Sequence, residues 1–353
     1  MTNFERRPHH EGSKHYMQKP TAIDLFSGCG GLTLGLKQAG YNVLGAIEVA
    51  PKAQQTYKLN HPEVQLYESD IRDIPTSTVL SDLGIKCGEL DLLAGCPPCQ
   101  GFSRLRTRNR SNSVEDPRND LILQFQRYVE ELLPKNVMME NVPALAKDPR
   151  FTQLIVNLKK LGYNTTFEVA DAANFGVAQR RKRLILLASR ASTPKLAKKS
   201  NKKLLVRDVI AQIETPLLSS DAIHTIPEKR SEAVKRLIAL IPKNGGSRAQ
   251  LPVEYQLACH LRSDGFRDVY GRMAWDEVSP TITSGCINPS KGRFLHPEEN
   301  RTITLREASL LQGFPMGYRF DASHGKEAIA LMIGNALPPP FIMAHALALL
   351  TQD

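Results

Sequence analysis

The sequence predicts an α/β protein with a doubly wound, mainly parallel sheet and a smaller inserted domain. Short apolar runs alternate with stretches of helical periodicity from Thr21 to about Arg190. This alternation is typical of a parallel sheet that helices cover on both faces. Regular helical spacing returns only after residue 305, so the segment between is predicted to be an insertion.

The predicted strands and helices follow one another along the chain. Continuous apolar runs predict buried strands at 22–26, 43–47, 90–94, 137–139 and 184–188. Apolar residues at helical spacing predict helices at 32–38, 52–60, 121–133 and 152–161, and again at 305–312, 326–333 and 341–350.

Composition divides the chain into five predicted regions. Residues 1–19 are polar and are predicted to form a disordered leader. Residues 20–190 form the sheet domain, and 191–300, which carry turn signals, form the smaller second domain. Residues 301–325 connect this domain to 326–353, which are predicted to return to the first domain.

The overall composition is that of a water-soluble protein with a basic excess. The 353 residues are 41% hydrophobic and carry 46 Lys+Arg against 36 Asp+Glu, a formal net charge of +10. This balance excludes a mainly disordered chain. No apolar run is long enough to span a membrane, and the N-terminus lacks a signal-peptide core. We therefore expect a cytoplasmic protein.

The positive charge is concentrated in one block. Residues 172–207 hold eleven Lys/Arg and no Asp or Glu. Such a block favours a nucleic-acid partner through contacts to phosphates. A solvated linker at 195–203 is the alternative interpretation.

Six cysteines are too few and too scattered for a disulfide framework, and only Cys96 and Cys99 lie close together. A second pair or a His partner at ligand spacing is missing, so we predict no metal site.

A glycine-rich turn follows the first predicted strand, in the sequence DLFSGCGG at 24–31. Glycines at a strand-to-helix turn let the backbone approach a ligand, although the turn could also be purely structural. Thr33 stands where the dinucleotide fingerprint requires its third glycine, so a ligand without a pyrophosphate is favoured. Glu48 ends the second strand, where a carboxylate suits ribose hydroxyls. With Asp70 and Ile71, these residues suggest an adenosine cofactor such as S-adenosyl-L-methionine.

Side chains that can take part in chemistry stand at one end of each of three later predicted strands. Cys99 comes after Pro97 and Pro98 in GCPPCQGFS at 95–103, at the sheet edge where open α/β folds bind ligands. A thioredoxin-like redox pair or an inert buried thiol are the alternatives. Glu140 ends the next strand, and QRRKR at 179–183 enters the last. The alternative interpretations are purely structural: Glu140 could be a helix-capping acid, and the segment 179–183 a basic surface turn.

These segments closely resemble the cytosine-C5 DNA methyltransferase family, of bacterial or phage type, over most of residues 20–190 and 270–340. The further matching segments are DPRNDL at 116–121, ENV at 140–142, RTITLREASLLQGFP at 301–315 and GNALPPP at 334–340, all in the family's order. The resemblance implies a Rossmann-like methyltransferase core, with 191–300 as the target-recognition domain.

The resemblance also implies the catalytic roles. Cys99 would add to C6 of a cytosine as a thiolate, and Glu140 would protonate N3. Arg183 would hold the base at O2, while Arg181 would support Glu140 and the local phosphates. The target base would be flipped out of the duplex.

The family pattern assigns a set of cofactor contacts as well. Phe26 would face the adenine, Glu48 the ribose, and the glycine turn the methionine part. Val49 departs from the family, which often has an aromatic residue beside the ribose acid. The full implied cofactor set is Phe26, Gly28, Cys29, Gly30, Gly31, Glu48, Asp70, Ile71, Pro98, Leu121, Asn335 and Ala336.

Double-stranded DNA is the implied partner, and a companion restriction endonuclease would act in the same system without forming a complex. We expect a monomer. Two alternatives remain at this point. Some relatives methylate transfer RNA, but they share a Cys-Phe-Thr segment that this sequence lacks. A catalytically inactive DNA-binding protein is the other, although Cys99, Glu140 and Arg183 are all present.

Overall fold

The computed structural model describes residues 19–98, 120–256 and 268–351. Within them the chain forms a seven-stranded sheet in the order β3-β2-β1-β4-β5-β7-β6. The first five strands pair in parallel, and β7 runs antiparallel to both β5 and β6. The strands are β1 Thr21–Leu25, β2 Asn42–Ile47, β3 Gln65–Tyr67, β4 Leu92–Gly95, β5 Asn136–Asn141, β6 Asn164–Asp171 and β7 Lys182–Ser189.

Helices connect the strands and continue after them. In the first half they are α1 Gly31–Gln38, α2 Pro51–Asn60, α3 Thr76–Leu83, α4 Leu121–Leu132 and α5 Pro149–Lys160. In the second half they are α6 Val206–Ile210, α7 Glu232–Leu240, α8 Leu305–Leu311, α9 Lys326–Asn335 and α10 Pro339–Leu350. The predicted leader at 1–18 lies outside the described residues.

Both faces of the sheet are buried, which confirms the doubly wound α/β class. Alternate residues of β7 point to opposite sides: Leu184 and Leu186 pack with α4 and α5, whereas Ile185 and Leu187 pack with α1 and α10. Burial on both faces explains why this strand is a continuous apolar run in the sequence.

The helix α10 packs closely against α1. A Cβ atom on Gly35 would lie 2.6 Å from the carbonyl oxygen of Pro339 and from Cβ of Ile342. Only glycine permits this approach of the two helices. Within the described ranges, the helical stretch Lys326–Leu350 is long and apolar enough to cross a membrane. Its most apolar window is 56% buried in the protein, which is typical of a core helix.

Five of these elements were absent from the sequence prediction: β3, β6, α3, α6 and α7. The strand β6 lies at the edge of the sheet, where Phe167 and Val169 remain about half exposed. It therefore lacks the continuous apolar run by which the buried strands were identified.

Many of the described residues between 204 and 333 pack in a third apolar cluster that includes Trp275, Phe294 and Phe314. Between α7 and α8 the described backbone is mostly irregular, with short 3₁₀ turns. Arg272 holds this part together, because its fully buried guanidinium donates hydrogen bonds to five acceptors. They are the carbonyl oxygens of Ile238, Ile241, His296 and Glu299 and Oδ1 of Asn300, at 2.5–3.1 Å.

Arg272→Met is expected to lower the free energy of unfolding by more than about 3 kcal/mol, because buried acceptors lose their donors. Urea unfolding and the thermal midpoint measure this. Arg236→Met, at an exposed position of α7, is the matched control and should cost within about 0.5 kcal/mol. Equal stability of the two variants would contradict this role of Arg272.

Candidate active site and cofactor pocket

One pocket at the carboxyl edge of the sheet brings together the residues that the sequence singled out. Its volume is about 460 Å³, within the size range of small-molecule sites. Of the predicted residues that the structure describes, all except Gly30 line it. They are Phe26, Gly28, Cys29, Gly31, Glu48, Asp70, Ile71, Pro98, Leu121, Glu140, Arg181, Arg183, Asn335 and Ala336. Cys99 lies outside the described residues.

The glycine turn after β1 is shaped by positive backbone φ angles. Phe26 has φ +63°, Gly28 +56° and Gly30 +94°. Phe26 adopts the left-handed region at an energetic cost that glycine would not have. A Cβ on Gly28 would meet no atom within 4 Å, whereas one on Gly30 would lie 2.6–2.7 Å from His61 and Tyr318. Gly30 therefore packs behind the pocket.

A buried polar network supports this turn from behind. The Tyr318 hydroxyl donates to the carbonyl of Cys29, and His61 Nε2 lies 3.1 Å from that hydroxyl and 3.2 Å from the Gly30 carbonyl. Burial lowers the pKa of His61 to about 4, so its ring is neutral at pH 7. Because Lys37 Nζ donates to Nδ1 at 2.8 Å, the ring proton sits on Nε2.

Asp24 begins the turn motif and is fully buried. Its Oδ2 accepts from the Thr33 hydroxyl at 2.7 Å, while Oδ1 has no hydrogen-bond partner. Burial raises the pKa of Asp24 to about 7. Thr33 occupies the position of the third glycine in a dinucleotide-binding motif. Here its hydroxyl group hydrogen-bonds the buried carboxyl group of Asp24.

Two further carboxylates line the pocket, those of Glu48 and Asp70. Glu48 accepts from the backbone amides of Gly28 and Ala50, each at 2.7 Å, which fixes its carboxylate at the pocket. Asp70 accepts from Arg72, whose side chain lowers the pKa of that carboxyl. Val49, the departure from the family pattern, is 58% exposed.

Glu140 also lines the pocket. It is the second-last residue of β5, is 1% exposed, and its Oε1 lies 2.8 Å from Nε of Arg183 on β7. The thiol of Cys96 donates to Oε2 at 3.1 Å. Burial raises the pKa of Glu140, although the charge of Arg183 opposes this shift. The carboxyl group is therefore able to hold a proton closer to neutral pH than an exposed glutamate.

Arg181 lines the pocket and is tied to the backbone of three distant residues. It is buried, and its guanidinium donates to the carbonyl oxygens of Ile282, Gly334 and Ala336 at 3.0–3.2 Å. Its charge lowers the pKa of Glu140, but the residue paired directly with Glu140 is Arg183. Because Arg181 is enclosed, it does not face outward toward phosphates.

Sequence reasoning missed three residues that shape the site: Cys96, Asn141 and Tyr318. The Nδ2 of Asn141 donates to the Pro97 carbonyl at 2.8 Å, which anchors the loop that leads toward residue 99. Asn141 stands inside the ENV segment, which was the available signal. Among the described residues no group of three His, Cys, Asp or Glu is placed to hold a metal ion.

The sheet and the pocket at its carboxyl edge are those of a Rossmann-like methyltransferase. The structure superimposes on a prophage-encoded protein of E. coli, described as a DNA modification methyltransferase, with a TM-score of 0.72 at 22% identity, covering 94% of this chain and 98% of that one. This likeness confirms the fold class.

Sequence comparison then identifies the family. The model of the C-5 cytosine-specific DNA methylase family matches residues 21–350. The chain is 34% identical to the Type II methylase M.HgiDII of Herpetosiphon aurantiacus, over 90% of this chain and 91% of that protein. It is 30% identical to the Type II methyltransferase M1.BsuMI of Bacillus subtilis, over 89% and 77% respectively. The chain belongs to the C-5 cytosine-specific DNA methylase family, which confirms the resemblance found in its sequence.

The buried Asp24 predicts a pH dependence of stability. Its folded pKa lies above the unfolded value of 3.8, so the folded state holds the proton more tightly. The stability that Asp24 contributes is present below pH ~4 and is lost as the pH rises toward about 7. Asp24→Asn should therefore lose less stability between pH 5 and pH 8 than the parent, by at least about 1 kcal/mol.

Urea unfolding at the two pH values measures this difference. Asp73→Asn, at an exposed position, is the matched control and should follow the parent protein. Parallel pH profiles for the parent and Asp24→Asn would contradict the assignment.

Proposed function

We propose that this enzyme transfers a methyl group from S-adenosyl-L-methionine to C5 of a cytosine flipped out of a specific short sequence in double-stranded DNA. The observation that carries the proposal is the buried Glu140–Arg183 pair, which lines the same pocket as the glycine turn and Glu48. One cavity thus contains both an acid that can protonate the target cytosine and a binding site suited to an adenosine cofactor.

The residues of the pocket fit this cofactor. The open space beside Gly28 admits a ligand against the backbone, and the fixed carboxylate of Glu48 has lone pairs left for ribose hydroxyls. Phe26 and Ile71 supply apolar surface for an adenine ring, and Asp70 an acceptor for its amino group. When bound, the cofactor supplies a methyl group on a sulfonium. This cofactor contains no diphosphate, which agrees with the absence of the third glycine of the dinucleotide fingerprint.

The proposed chemistry begins with Cys99. Its thiolate adds to C6 of the cytosine as Glu140 delivers a proton to N3, and the electrons of the C5–C6 double bond become available at C5. Carbon C5 would then attack the methyl carbon that the bound cofactor supplies, with the bonding electrons of the methyl group staying on the sulfur. Loss of the C5 proton and of the N3 proton, with elimination of the thiolate, yields 5-methylcytosine and restores Cys99.

Glu140 and Arg183 have complementary tasks in this sequence. The raised pKa of Glu140 lets it carry the proton that N3 receives. Arg183 keeps the carboxyl group in place from the Oε1 side and has further donors for O2 of the base. Since Glu140 is 1% exposed, a base still stacked in a duplex could not reach it. That burial supports the proposal that the target base is flipped out.

Residues 191–300 are proposed to read the DNA sequence, as a domain inserted between the catalytic region at 20–190 and the returning segment after 325. The net charge of +10 favours binding to DNA. Because its relatives are Type II methylases, we propose a modification enzyme of a restriction-modification system or an orphan methylase. It would act in the cytoplasm as a monomer, without forming a complex with an endonuclease.

Cys99→Ser is expected to abolish methyl transfer to DNA, because a serine hydroxyl is far less nucleophilic than a thiolate. Incorporation of tritium from labelled methyl donor into plasmid DNA measures activity, and a gel-shift assay measures DNA binding. Binding should persist within about threefold. Cys87→Ser, at an exposed position, is the matched control and should stay fully active. Methylation by Cys99→Ser would contradict the mechanism.

A further inference from the structure

We propose that Cys96 is a positioning residue for Glu140, holding its Oε2 oxygen so that the carboxyl group presents its proton to the target base. The inference rests on the proposed function, in which Glu140 protonates N3. Within the described residues, the thiol contacts Glu140 directly and lines the shared pocket. Cys96 is therefore a second cysteine with a task in this site, distinct from the nucleophile.

The backbone around Cys96 is held in place on both sides. Its amide donates to the Leu25 carbonyl at 3.2 Å, which continues the pairing of β4 with β1. The next carbonyl, of Pro97, accepts from Asn141 at 2.8 Å. Since Asn141 follows Glu140 on β5, the same strand fixes both the acid and the loop that bears the thiol. The Sγ–Oε2 contact of 3.1 Å is thus set by the sheet.

The two oxygens of Glu140 have different neighbours, and this decides where a proton can sit. Oε1 lies 2.8 Å from Nε of Arg183 in an ion pair that lacks hydrogen-bond geometry. A proton on Oε1 would face this positive charge, so Oε2 is the oxygen that carries it. The Cys96 sulfur can donate to Oε2 when the carboxylate is ionised and accept weakly from it when protonated. It therefore keeps contact with the acid in both states.

Among the described residues, the charged and titratable groups that act on Glu140 come from two neighbouring strands and their flanks. Arg183 lies on β7, Arg181 lies directly before it, and Cys96 directly follows β4. All three lower the pKa of Glu140 against the dominant effect of burial. The thiol itself is held protonated, because burial and the nearby carboxylate raise its pKa. Removing the S–H donor should thus favour the protonated acid, and a stronger donor should favour the ionised form.

The experiment compares Cys96→Ala, the parent and Cys96→Ser by single-turnover methyl transfer across pH. Because the reaction needs the protonated form of Glu140, the rate of methyl transfer should fall at higher pH, which gives the pH profile a falling limb. We expect this limb to move to higher pH in Cys96→Ala and to lower pH in Cys96→Ser, each by roughly half a pH unit or more. Cys286→Ala removes a buried thiol that is not among the groups that shift the pKa of Glu140, and its limb should match the parent.

The outcomes separate this inference from the proposed function. Opposite displacements in the two variants support it, since loss of packing alone would shift both in one direction or neither. If all the profiles coincide while the parent methylates DNA, the role of Cys96 is overturned. If the parent shows no methyl transfer at any pH, the proposed function fails instead. Thermal midpoints and binding of the methyl donor check folding, and should Cys96→Ala not fold, the near-isosteric Cys96→Ser decides.

Discussion

The buried carboxyl group of Glu140 is the feature around which the site is arranged. A carboxylate that is 1% exposed is costly to ionise, and Arg183 at 2.8 Å offsets part of that cost. The reversed direction of β7 makes the pairing possible. Because β7 runs antiparallel to β5, with Leu184 opposite Asn141, the basic start of β7 lies beside the acidic end of β5. A parallel β7 would bring its uncharged last residues to this edge instead.

The same edge is joined to the rest of the molecule by two buried side chains. Arg181 ties the start of β7 to residue 282 and to the end of α9, where Asn335 and Ala336 line the pocket. Tyr318 ties the segment after α8 to the glycine turn through the Cys29 carbonyl. Residues before 191 and after 300 therefore line the same pocket, so a change in either region should affect the pocket.

Five of the seven strands and many pocket residues were predictable because they produce local signals, whereas Leu121, Asn335 and Ala336 were indicated only by the family resemblance. Buried parallel strands are continuous apolar runs, and chemical residues such as Glu48 and Glu140 stand where such runs end. Contacts made at long range left no such signal. Neither the Cys96–Glu140 contact nor the packing of Gly30 on His61 and Tyr318 can be inferred from spacing. The hydrogen bonds of Arg181 to backbone carbonyls were missed for the same reason, since any segment offers carbonyls.

The most direct test of the account is bisulfite sequencing of genomic DNA and total RNA from a host without cytosine methylation, with and without this protein expressed. The account predicts 5-methylcytosine confined to one short DNA sequence, present only when the protein is expressed. That result would also reveal the target sequence. Unmodified DNA together with a methylated transfer RNA would contradict the assignment of DNA as substrate. Unmodified DNA and RNA, with soluble protein present, would contradict the catalytic role of the site.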